Sequence, residues 1–220
     1  MAKINIVEVA GFSLDLATEW PLERLVRNQV SECLDAAMEA RDVEMVTLAL
    51  NDLDRRGRAK FAHRKARRAG IAPITWLQQA KSDLRKLEQP PINRSNGHLY
   101  AVLMESPSER LGRYSVYVGA TYRRPENRLE QHLAGGRLAS RKVRRRGSQL
   151  LKSLCWPWRT VPGKKLERLD WESALHECLA ISVPKVEGDS HPEKWGDDFQ
   201  NELTIEWEIL TQKFQGGGAA

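Results

Sequence analysis

This chain has little cysteine. Cys33, Cys155 and Cys178 stand alone at unpatterned spacing among 220 residues, which argues against the disulfide framework of a small secreted domain. They fit small buried apolar groups in a reducing cytoplasm. No apolar run approaches the ~20 residues that a bilayer-spanning helix needs. The start, Met1-Ala2-Lys3-Ile4-Asn5-Ile6, has no secretory apolar core. A cytoplasmic protein with no membrane partner is therefore expected. A Cys-x-x-Cys pair of the zinc-binding kind is missing, and so is a glycine loop that would cradle a phosphate.

What the chain has is charge, unevenly placed. The formal net charge is +6, with 29% charged residues. Between Arg55 and Arg68 lie Arg55, Arg56, Arg58, Lys60, Arg64, Lys65, Arg67 and Arg68 without one acid. A second run holds Arg137, Arg141, Lys142, Arg144, Arg145 and Arg146, again without acid. Acids collect instead beyond Glu187. Segregation of this kind points to a polyanion-facing side, so both runs are candidate nucleic-acid contacts.

Hydrophobic periodicity divides the chain. Leu22, Leu25, Val26, Val30, Cys33, Leu34, Ala37 and Met38 recur at helical spacing. A second helix is expected from about Val43 into the basic tract, with Gly57 able to break it, and a third from Pro73. Residues 3–9 suggest a short strand. Pro90-Pro91 followed by Asn93, Ser95, Asn96 and Gly97 opposes both helix and strand. After it, Leu99–Met104 and Tyr114–Val118 read as antiparallel strands joined by a long turn-rich loop. Further helices are expected over 125–133, 140–151 and 165–180. The expectation is an α+β chain: a mostly helical N-terminal domain (1–88), a linker (89–97), a domain with a small antiparallel sheet flanked by helices (98–187), and a C-terminal extension (188–220).

The sheet domain carries the chemistry. Tyr100 and Tyr117 fall on neighbouring strands and are expected on one face. Arg128 and His132, one helical turn apart, project together. Glu172 opens a later amphipathic stretch. An arginine fork matches a phosphate and stays charged. A tyrosine or histidine can exchange a water's proton, and a carboxylate can hold a divalent ion against developing charge.

Leu99-Tyr100, Tyr117-Val118-Gly119, Arg128, His132 and Glu172, in this order, resemble the motifs of the GIY-YIG nuclease superfamily over roughly residues 97–184. His98 stands where the first motif has glycine, and Ala120 where some members have lysine. The resemblance implies a GIY-YIG-like sheet and a DNA endonuclease using Mg²⁺ (or Mn²⁺) at Glu172. It also implies a catalytic set of Tyr100, Tyr117, Arg128, His132 and Glu172, in which Tyr100, Tyr117 or His132 takes the water's proton; Tyr117 is the first choice as base, with His132 then a relay. A restriction-like or mobile-element enzyme fits the small size, and a homodimer is one way for it to cut both strands. The alternatives are a non-catalytic nucleic-acid-binding protein of the same fold and a structure-selective repair or recombination subunit.

Overall fold

The computed structural model describes residues 25–57, 59–87, 97–106, 112–137, 139–155 and 165–188, together with Leu22 and Arg110. The expected strand at 3–9, most of the linker, Arg58 and all of the C-terminal extension after Gly188 lie outside the described residues. Four helices come first: α1 (Arg27–Glu39), α2 (Val43–Arg55), α3 (Ala59–Arg68) and α4 (Leu77–Leu84). Then follow β1 (His98–Glu105), β2 (Tyr114–Thr121), α5 (Pro125–Ala134), α6 (Arg141–Arg146), β3 (Gly147–Leu150), α7 (Lys152–Cys155), α8 (Lys165–Ala180) and β4 (Val186–Glu187). The chain is mixed α/β. None of its described helices is long and apolar enough to cross a membrane.

The break expected at Gly57 separates α2 from α3, where the backbone turns through φ 72°, a left-handed value that glycine adopts without steric cost. Asp42 starts α2 by accepting the Met45 N–H at 2.9 Å, as a short side-chain oxygen at an N-cap does.

The sheet runs β3-β1-β2-β4. β1 pairs antiparallel with both β2 and β3, whereas β4 lies parallel to β2. The sheet is thus mixed, and the antiparallel expectation holds for three of these strands. The single helix expected over 140–151 is corrected too. It ends at Arg146, and residues 147–150 turn into β3 along the outer edge of β1. A Cβ at Gly147 would lie 2.6 Å from the Val143 carbonyl oxygen, so glycine permits the tight exit from helix to strand.

Strand β1 is buried on both faces, which explains its nearly continuous apolar sequence. Leu99, Ala101 and Leu103 join the cluster formed by α1–α4 and by Leu175 and Leu179 of α8. Tyr100, Val102 and Met104 point the other way, into a smaller cluster with Val143 of α6, flanked by Tyr117, Leu129 and Leu150. The N-terminal helices and the sheet therefore share one core, although an α-helical segment and a mixed segment are distinct along the chain. Polar ties reinforce it: Gln149 of β3 accepts the Val43 N–H at 3.0 Å and donates to Asp42 at 2.9 Å. Glu44, itself buried, accepts from the Lys152 N–H, the Ser153 N–H and the Ser153 hydroxyl at 2.9, 2.9 and 2.6 Å.

Candidate active site

The smaller cluster contains the residues singled out in the sequence. Tyr100 and Tyr117 share the sheet face, as expected from their register: Tyr100 lies opposite Gly119, and Tyr117 opposite Val102. Their ring centroids are 6.2 Å apart. Helix α5 begins with Pro125 in its first turn, which suits a position where no N–H is needed. It brings His132 between the tyrosines, 6.0 Å from the Tyr100 ring and 5.9 Å from that of Tyr117. His132 is the buried residue of this helix.

Two hydrogen bonds fix the imidazole. Its Nδ1 accepts the Ser140 backbone N–H at 2.8 Å, and its Nε2 lies 2.8 Å from the Tyr100 hydroxyl. A neutral ring whose Nδ1 accepts must carry its proton on Nε2. His132 thus donates to Tyr100, and the Tyr100 hydroxyl proton is directed elsewhere. Burial, followed by the Arg128 charge, pulls His132 down to about 4 and keeps it neutral. Ser140 serves two neighbours, because its hydroxyl also accepts the Val143 N–H at the start of α6.

Tyr100 is held as tightly. A Cβ at Gly119 would lie 2.5 Å from the Tyr100 Cζ and Oη, so the ring occupies space that only glycine leaves. Burial pushes the Tyr100 hydroxyl up to about 12 and outweighs the opposing pull of Arg128. Glu172 pushes the same hydroxyl upward, and Tyr117 supports its ionised form. Arg128, Tyr117 and Glu172 therefore all act on one hydroxyl, and with His132 they make four sequence candidates that act on the hydroxyl of the fifth, Tyr100. Arg128 is half-buried and donates to Gln131 at 2.6 Å. Glu172 is buried on α8.

A divalent ion would have to be held largely by one residue of this set. Both nitrogens of His132 are engaged, leaving Glu172 as the carboxylate donor of the set. Among the described residues there is no group of three His, Cys, Asp or Glu that could hold a metal. Mg²⁺ is commonly bound through one or two carboxylates, with waters and substrate phosphate oxygens filling its shell. Glu172 with a phosphate is a donor set of that kind.

Several cations of the basic runs are tied to acids of the fold, and others are exposed on its surface. Arg56 is tied to Asp52 at 2.6 Å and to the Leu25 and Leu22 carbonyls. Arg55 also pairs with Asp52, and Lys65 with Asp35. Lys142 and Arg146 reach the buried Glu187 at 3.3 and 2.7 Å, joined by Lys185. Burial alone would raise the Glu187 carboxyl, but these cations hold it below its ordinary value. Arg137, Arg141, Arg144 and Arg145 are exposed on the α6 side, and Lys60, Arg64, Arg67 and Arg68 on α3. Arg64 and Arg67 line a cavity of about 410 Å³ with His63 and Arg113, away from the tyrosines.

No family model, curated protein or solved structure matches the chain.

Nothing in the sequence marks Ser140 as the orienting donor to His132. Arg168, one helical turn before Glu172 and almost fully buried, is a further residue of this region outside the sequence candidates. The four-residue spacing from Glu172 was the available signal, since it places both on one face of the helix.

Proposed function

We propose that the chain is a metal-dependent DNA endonuclease of the GIY-YIG type. The observation that carries this reading is the packing of Tyr100, Tyr117 and His132 into one cluster, with the Tyr100 hydroxyl 2.8 Å from His132 and within the field of Arg128 and Glu172.

In this reading Arg128 clamps a non-bridging oxygen of the scissile phosphate. Glu172 holds Mg²⁺ or Mn²⁺, which when bound supplies charge neutralisation at the phosphoryl and departing 3′ oxygens. Tyr117 gives up its own phenolic proton to solvent and, as the phenolate, accepts that of the attacking water. Its ring is half-buried, while Tyr100 is pushed up to about 12 and held by His132. Tyr100 orients the water with the hydroxyl proton that its bond from His132 leaves available. His132, already protonated at Nε2 and accepting at Nδ1, positions Tyr100 instead of relaying a proton. The exposed arginines of α6 run along the DNA backbone and contribute salt-sensitive affinity without reading sequence.

The test is cleavage of plasmid, linear and branched DNA with Mg²⁺ or Mn²⁺, comparing the wild-type chain with Glu172→Ala. Cleavage lost in the variant and in EDTA is expected. DNA binding with no cleavage across these substrates and metals would replace this reading with a non-catalytic binding protein. Selective cutting of branched substrates would point to a repair or recombination role.

A further inference from the structure

Arg168 is 4% exposed, yet its Nε and Nη1 have no hydrogen-bond partner among the described residues. The guanidinium carbon lies 3.6 Å from the centroid of the Tyr122 ring. Tyr122 directly follows β2 and is 43% exposed, whereas the guanidinium stacked on it is buried. A ring face attracts the cation and fixes its plane, but it satisfies none of the in-plane N–H groups. A buried guanidinium with unmet donors is costly, and orphaned groups of this kind call for a missing partner. An anion with several acceptor oxygens supplies one, and a phosphate matches the fork. Arg168 shares a helix face with Glu172, one turn away. Glu172 in turn acts on Tyr100.

We propose, resting on the nuclease reading for its placement, that Arg168 forms a second phosphate-binding position, flanking the one clamped by Arg128. Arg168 binds the phosphate, and Tyr122 is a positioning residue that holds the guanidinium flat. A phosphate in the nucleic-acid strand and a free phosphate ion share this chemistry.

Full-length wild type and Arg168→Met are compared in EDTA, so that cleavage plays no part. Met keeps much of the length and removes the charge. A merely structural stack predicts a melting temperature well below wild type with unchanged affinity for a short labelled duplex, and that result overturns the proposal. The expected result is a melting temperature equal to or above wild type. Duplex affinity should fall roughly tenfold, with a salt slope shallower by about one. Separately, sodium phosphate should raise the melting temperature of wild type more than that of the variant, against sodium chloride of equal ionic strength. Equal responses overturn the anion site. A differential phosphate response without duplex binding leaves the anion site standing with free phosphate as its source, and removes the nuclease reading instead.

Discussion

The Tyr100 ring lies across Gly119 so closely that a Cβ at Gly119 would sit 2.5 Å from Cζ and Oη. Glycine in Tyr117-Val118-Gly119 is therefore a packing requirement for the tyrosine on the neighbouring strand. Gly119→Ala should destabilise the chain by about 1–3 kcal/mol, the usual cost of overpacking, and displace the hydroxyl. Combining it with Tyr100→Leu should recover part of that stability but no cleavage. Chemical denaturation of the two single variants and the double variant checks this. Additive losses would show that the two residues do not compete for space.

The two tyrosines should separate in their effects. Tyr100→Phe strands the buried Nε2–H of His132, so it should cost about 1–3 kcal/mol of stability as well as activity. Tyr117→Phe, at a half-buried position, should leave stability within about 1 kcal/mol of wild type while cleavage falls by at least about a hundredfold. Melting curves and initial cleavage rates on one preparation would distinguish them. An active Tyr117→Phe would move the base role elsewhere.

His132 and Glu44 make opposite demands on pH. His132 sits at about 4 instead of 6.5, so its stabilisation is complete above pH 6.5 and is lost as pH falls towards 4. Burial raises Glu44 from 4.5 to about 7 despite its three donors. Its stabilisation is complete below pH 4.5 and is lost as pH rises through 7. Each shift corresponds to about 3 kcal/mol, and between pH 4.5 and 6.5 they oppose one another. The stability of Glu44→Gln should rise with pH across that window, and that of His132→Gln should fall. Identical slopes in wild type and both variants would contradict the assignment.

The α6 arginines should divide by direction. Replacing Arg141, Arg144 and Arg145 with Ala should weaken duplex binding and flatten its salt dependence, with little change in melting temperature. Arg146→Ala, which removes the 2.7 Å pair to buried Glu187, should destabilise by about 1–3 kcal/mol, less than the loss of an isolated buried pair, because Lys142 and Lys185 still face the carboxylate. Anisotropy titrations over a salt series, alongside thermal melts, test both. Unchanged binding in the triple variant would remove α6 from the DNA path.

Much of this arrangement was legible in sequence because it follows local periodicity. The alternation along Leu99–Met104 and the four-residue step from Arg128 to His132 place side chains on faces without tertiary information. The orienting contact from Ser140 was hidden because it is a backbone N–H, which every residue except proline carries. Residues 147–150 resembled the end of a helix because their strand character depends on the open edge of β1, contributed by residues more than forty positions earlier. Arg56 and Arg146 looked like their exposed neighbours. Only folding brings them to Asp52 and Glu187.

The polar ties between the first turn of α2 and the β3–α7 segment join residues 106 to 109 positions apart. Closure over such separations comes slowly and cannot form within either half alone. A chain cut between residues 87 and 97 should consequently remain a stoichiometric complex held by its common core and these ties. Two separately expressed fragments should reconstitute the fold on mixing, each supplying what the other needs to become ordered.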